Sequence, residues 1–123
     1  MNLEELPLYK KRVFISGPMT GIEHYNAPEF ARAHAICCEQ KSRCVYDPSW
    51  AWLSEQGEEG SHEYYMRKCV AELVDSRYGF TGYDVLLQLP GWEYSDGCRL
   101  ERDVAIACGI EVMTLEQVIE WPR

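Results

Sequence analysis

The sequence predicts an α/β fold: a three-layer sandwich with a mainly parallel sheet of four or five strands and helices on both faces. Three observations carry that expectation. Short β-rich runs at Val13-Phe14-Ile15, Cys44-Val45-Tyr46, Val85-Leu86-Leu87 and Glu111-Val112-Met113 alternate with segments of helical periodicity. Such alternation implies parallel strands joined by helical crossovers. The third run is apolar at every position, as a strand buried on both faces is, and turn or cap residues follow the runs.

Taken in order, residues 1–10 form a lead-in, with Lys10-Lys11-Arg12 flanking the first strand. That strand stops at Ser16-Gly17-Pro18-Met19-Thr20-Gly21, a tight loop at a sheet edge. Asn26 is placed to cap the first helix, with Pro28 early in it and Glu29 three residues after the cap. Phe30, Ala33, Ile36 and Cys37 then recur at helical spacing, to about Lys41. The second strand ends at Asp47-Pro48, and Ser49 to Gly60, containing Trp50 and Trp52, reads as a long loop. Ser61 opens a second helix over about 62–75, with Tyr65, Met66, Cys69, Val70 and Leu73 on one face. The connection from Asp75 to Tyr83 is longer than an ordinary helix–strand loop. After the third strand, a third helix spans about Gly97 to Cys108 with Leu100, Val104 and Ala107 inward and Gly109 as its C′ residue. Thr114 caps a last helix through Glu120, and Gln117 completes a capping box.

The 123 residues are read as one domain, 1–123, large enough for a core without cross-links. Twenty acidic against twelve basic residues give a formal charge of −8, which argues against a nucleic-acid polymer as partner. It leaves a single nucleotide open, because backbone N–H groups at a helix N-terminus hold one phosphate without lysines. The six cysteines include no C-x-x-C, the three histidines share no ligand spacing, and the N-terminus is acidic. No metal, no cofactor, no disulfide and a cytoplasmic location are therefore expected. No apolar run approaches the length of a membrane span, so no membrane partner is expected.

The segment richest in chemistry runs from Asp84 through Leu89-Pro90-Gly91 and Ser95-Asp96-Gly97 to Glu101. Asp84, at the start of the third strand, lies at the wrong end of the sheet for catalysis and is read as capping the preceding loop. Gly97 and Glu101 are four apart on one helix face, and side chains lean toward a helix N-terminus. The Glu101 carboxylate therefore leans back toward the Ser95–Gly97 turn, where a bound phosphate or hydroxyl would sit. The competing reading is a solvated glutamate paired with a nearby arginine. The loop Ser16 to Gly21 follows a strand expected at the sheet centre, so it faces the same crevice. Trp92 and Tyr94 flank the turn and can stack on a planar or sugar face, or pack against the core edge.

These residues resemble the nucleoside 2-deoxyribosyltransferase-like superfamily, in particular a short uncharacterised branch of it. The motifs that carry the resemblance are Phe14-Ile15-Ser16-Gly17-Pro18-Met19-Thr20-Gly21, Asn26 with Phe30 and Ala33, Tyr65-Met66-Arg67, and Leu89-Pro90-Gly91-Trp92-Glu93-x-Ser95-x-Gly97-x-x-x-Glu101. The resemblance implies a flavodoxin/Rossmann-like sandwich that cleaves the N-glycosidic bond of a nucleotide or nucleoside, as hydrolase or deoxyribosyltransferase. Glu101 matches the glutamate that attacks the anomeric carbon, and Ser95 the position that contacts the 5′-hydroxyl or 5′-phosphate. Serine there is similar to 2′-deoxynucleoside 5′-phosphate N-hydrolases. Gly97 and the loop of Ser16, Gly17, Pro18, Met19, Thr20 and Gly21 would add contacts to phosphate and sugar, with Trp92 as a stacking surface. Family analogy also implies a homo-oligomer, a dimer or higher.

One position departs from the family pattern. Alignment on Tyr65-Met66-Arg67 puts Cys69 at the substrate-binding position where the family carries an aspartate, and a thiol is a poor general acid. Either Glu72 or Asp75 compensates, or the chain has lost hydrolase activity. Two further readings follow: a non-catalytic nucleotide-binding protein on the same fold, and an interaction protein whose contact surface is the Trp50/Trp52 loop.

Overall fold

The computed structural model describes residues 2–49, 62–76 and 82–122. The Trp50/Trp52 loop, the Ser61 cap and the middle of the Asp75–Tyr83 connection lie outside them. Four strands, β1 (Arg12–Ser16), β2 (Cys44–Tyr46), β3 (Val85–Gln88) and β4 (Glu111–Thr114), form an all-parallel sheet in the order β2-β1-β3-β4. Among the described residues the sheet is covered by α1 (Ala27–Glu39), α2 (His62–Leu73), α3 (Asp96–Ala107) and α4 (Leu115–Ile119). This is the α/β sandwich of flavodoxin/Rossmann type that the strand–helix alternation predicts. Among the described residues no helix is long and apolar enough to cross a membrane.

Successive strand residues point to opposite faces, so each central strand feeds two cores. Val13 and Ile15 of β1 and Val85 and Leu87 of β3 pack with Phe30, Ala33 and Cys37 of α1 and Leu115 and Val118 of α4. Phe14 and Leu86, pointing the other way, pack with Cys69 and Leu73 of α2 and Ala105 of α3. Phe14 stacks on Tyr46 at 4.9 Å between ring centroids and meets Tyr83 edge-on at 5.5 Å. All six cysteines are free, three of them buried.

Several local readings are corrected. The first ten residues are more than a lead-in: Leu8 is fully buried, its N–H donates to Gln40 Oε1 at 3.0 Å, and its carbonyl accepts from Ser42 Oγ at 2.9 Å. Asn26 stands at the start of α1 with a left-handed backbone (φ 64°) and makes no side-chain cap bond. The first helix ends at Glu39 rather than Lys41, because Lys41 takes the left-handed conformation (φ 62°) that closes it. Among the described residues the Asp84 side chain is used across the sheet rather than in the loop before it. Its Oδ2 accepts from the Arg12 N–H at 2.8 Å, which ties the entrances of β3 and β1 together.

The third helix keeps one residue of its expected inward face, Val104, which packs against the core, and loses the other two. Leu100 is 46% exposed and Ala107 is exposed, while Gly97, Cys98, Glu101 and Ala105 are buried. Three small residues let the helix sit close to the sheet, and the carboxylate between them takes the place an apolar side chain was expected to fill.

The last helix begins as expected. The Gln117 N–H donates to Thr114 Oγ1 at 3.2 Å and the Thr114 N–H to Gln117 Oε1 at 2.8 Å, a reciprocal capping box. The α4 segment has few internal bonds of its own and relies on this cap and on Leu115 and Val118. Thr114→Ala therefore costs about 1 kcal/mol, read as a lowered urea midpoint with unchanged slope.

Candidate functional site

The strand order reverses between β1 and β3, since the chain passes from β1 to β2 on one side and to β3 and β4 on the other. Parallel sheets bind ligands outside the carboxyl ends of the strands at such a switch point. Ser16 and Gln88 end the two strands as register partners. Beyond them the loops press together. A Cβ on Gly17 would stand 2.6 Å from Leu89 Cδ1 and 2.9 Å from its Cγ, so only glycine fits. Gly91 has φ +90° and abuts Pro18.

A turn at Trp92–Tyr94 then leads to Ser95, the N-cap of α3, whose Oγ accepts from the Cys98 N–H at 3.2 Å. The loops and helices enclose a cleft of about 540 Å³. Gly17, Pro18, Met19 and Thr20 line it together with Pro90 and Gly91. The first turn of α3 with Glu101, Asn26 and Glu29 at the start of α1, and Tyr65 and Met66 of α2 complete the lining. Tyr65 is fixed by donating its hydroxyl to Met19 Sδ at 2.7 Å.

Glu101 is the chemical centre of this cleft. It is 5% exposed and accepts from Ser16 Oγ at 2.7 Å. Burial pushes its carboxyl up from 4.5 to about 7, an effect that the Ser16 hydrogen bond only partly offsets. Its burial overturns the reading of a solvated surface glutamate, and among the described residues no cationic side chain pairs with it.

Beneath it lies a satisfied polar network. Buried Gln88 donates through Nε2 to the Cys98 carbonyl at 2.9 Å and approaches Ser16 Oγ at 3.5 Å. Arg102 Nη1 donates to Gln88 Oε1 at 3.1 Å, and its guanidinium lies 4.4 Å from the Trp92 ring centroid. The network fixes where Ser16 sits and hence which way its hydroxyl points.

Glu101, Ser95, Gly97, Gly17, Pro18, Met19 and Thr20, expected to share a crevice, all line this cleft, and Ser16 lies directly under its carboxylate. Gly21 shapes the loop through its positive φ of 78° without lining the cleft. Trp92 faces a smaller neighbouring cavity of about 290 Å³. Cys69 is 1% exposed, packed in the core behind the site, and burial pushes its thiol up to about 12. Of its two suggested substitutes, Glu72 accepts from Tyr83 Oη at 2.6 Å, and neither it nor Asp75 lines the cleft.

Sequence reasoning missed Glu29, which lines the cleft, and Gln88, which lies beneath it and lines the smaller neighbouring cavity. Gln88 was visible as the one polar residue closing an apolar strand. Glu29 was read as part of a helix cap, a role that the left-handed Asn26 leaves unfilled. Asp96, at the start of α3, also faces the cleft and pairs with Arg99, which in turn donates to the Glu93 carbonyl at 2.8 Å. Among the described residues no three His, Cys, Asp or Glu side chains converge as metal ligands do.

The profile of a family described as Domain of unknown function (DUF4406) matches residues 11–114, a span from β1 through β4 that includes the whole cleft. No curated protein matches the chain, and no solved structure does.

Proposed function

The chain belongs to the DUF4406 family, and from its cleft we propose that it cleaves the N-glycosidic bond of a nucleoside or nucleotide with Glu101 as nucleophile. The observation that carries this reading is the buried Glu101 carboxylate, facing the cleft and held by Ser16 with no counter-cation among the described residues. The resemblance to nucleoside 2-deoxyribosyltransferases and 2′-deoxynucleoside 5′-phosphate N-hydrolases adds the reaction class.

In this reading Ser16 occupies Oε1 and leaves Oε2 to attack the anomeric carbon. Fixing one oxygen removes the rotation that attack would otherwise have to freeze. The transition state has oxocarbenium character, and a carboxylate in a poorly solvated site stabilises it better than water would. A glycosyl ester on Glu101 then passes the sugar to water, or to a second base in the transferase variant. Ser95 and the backbone N–H groups of the first turn of α3 hold the 5′ end of the sugar, and Tyr94, 89% exposed at the mouth, stacks on the base.

The test is base release from a panel of nucleosides and nucleotides. A nucleophile must be ionised, so kcat/KM rises with pH through about 7 and levels off above it. A rate that falls through the same range would make Glu101 a general acid instead. No base release from any member of the panel by folded protein would overturn the reading.

The burial of Cys69 favours a second reading: a nucleotide-binding protein without turnover. It predicts that a nucleotide raises the melting temperature while no base appears.

A further inference from the structure

The charge of the cleft constrains what enters it. Glu29, Asp96 and Glu101 all face it, and no lysine or arginine does among the described residues. Asp96 shares its charge with Arg99, but the other two have acceptor capacity to spare. The buried Oε2 of Glu29 makes no hydrogen bond and lies 3.8 Å from Arg32 Nη1, too far for one. Glu101 meets only a neutral hydroxyl. The arginines of α3 are committed: Arg99 to Asp96 and the Glu93 carbonyl, Arg102 to Gln88 and the Trp92 ring. Glu29 is ion-paired with Arg32 and Asp96 with Arg99, so among the described residues Glu101 is the cleft carboxylate with no cation beside it. A phosphate would meet that charge, and a cation would find it and the Oε2 of Glu29 open to it.

A second observation concerns the leaving group. A neutral base departs as an anion unless an acid protonates it. On α2, where the resemblance implies an aspartate, stands Cys69, in the core and held un-ionised. Glu72, one turn further on, accepts from Tyr83 and does not line the cleft.

We infer that the cleft takes an N-glycoside whose base carries a fixed positive charge, a pyridinium or an N-alkylated heterocycle. The inference rests on the glycosidase reading above. With such a substrate, a Glu101 oxygen forms its bond to the anomeric carbon as the carbon–nitrogen bond breaks. The electron pair of that bond goes to the ring nitrogen and cancels its charge, so the base leaves neutral and needs no proton. Water then attacks the same carbon, its proton passes to solvent, and the carboxylate is regenerated with release of the sugar. Positive charge is present throughout the first step, moving from base to anomeric carbon, and the carboxylates stabilise it in both places.

Three probes test this: nicotinamide riboside, its uncharged dihydro form, and nicotinamide riboside 5′-phosphate, each titrated at low ionic strength with base release followed in parallel. The charged riboside binds about 10-fold tighter than the dihydro form, and the 5′-phosphate binds more weakly than the riboside. The preference shrinks several-fold in Glu29→Gln and at high salt. Equal or tighter binding of the dihydro form or of the 5′-phosphate overturns the inference. If base is still released from ordinary neutral nucleosides, the glycosidase reading survives that result. Loss of neutral-nucleoside cleavage in Glu29→Gln also overturns the inference, because it makes Glu29 the acid that a charged base does not need. Charge-selective binding without base release from any probe leaves the selectivity standing and removes the glycosidase reading. No binding of any probe overturns both.

Discussion

Glu101→Gln abolishes base release, by about 10³-fold or more, and at the same time makes the protein more stable at pH 8. The two effects come from one fact. The carboxyl is pushed from 4.5 to about 7 by burial, so the folded state holds its proton more tightly than the unfolded chain does. Stability from this group is therefore full below pH 4.5 and is lost progressively as the pH rises to about 7. That loss amounts to about 3 kcal/mol by linkage. Glutamine keeps an acceptor for Ser16 and has no proton to lose. Melting curves at pH 5 and pH 8 should show a wild type that weakens with pH and a variant that weakens less. A variant that is inactive because it is unfolded, or destabilised at pH 8, contradicts the account. Keeping an ionised carboxylate in this position costs the fold stability, as is common where function and stability compete.

Gly17→Ala lowers stability by about 1–3 kcal/mol, an unusually large effect for adding one methyl group in a loop. The added Cβ would stand 2.6 Å from Leu89 Cδ1 and 2.9 Å from Cγ, and Leu89 is fully buried. The whole side chain must move, and it opens the loop that carries Pro90 and Gly91 to the cleft. Urea unfolding measures the cost. Truncating the partner should relieve it, so the double variant with Leu89→Ala loses less than the sum of the two single losses. Strict additivity would show that the two loops do not press together as described.

The sheet was legible because its evidence is local. Val13-Phe14-Ile15 and Val85-Leu86-Leu87 have no polar alternation, which places both strands in the interior and hence β1 and β3 at the centre. The Thr114–Gln117 box was legible for the same reason, since four consecutive residues specify it. The inward face of α3 was only partly so. Counting apolar residues favours Leu100, Val104 and Ala107 as inward, and of these Val104 packs there. The rest of the buried face is set by long-range partners, here Ser16, eighty-five positions away from Glu101. Strand order and loop glycines point to one crevice, and Ser95, Gly97 and the Gly17–Thr20 loop do lie together along the cleft. The contact between Ser16 and Glu101 lacks any spacing signal, and neither do the left-handed Asn26 and the cleft-facing Glu29 announce themselves in sequence. Cys69 was misplaced by a different error. Its position along α2 is adjacent to the site, but its side chain turns to the core.

The most direct test of Glu101 as nucleophile is to look for the sugar on it. A 2-fluoro-2-deoxyarabinosyl nucleoside slows hydrolysis of a glycosyl ester, because fluorine destabilises the oxocarbenium-like transition state. After incubation, the intact mass should rise by one fluorosugar, peptide mapping should place it on the α3 peptide at Glu101, and Glu101→Gln should take up none. Base release with no adduct at Glu101, undiminished in Glu101→Gln, would contradict the account.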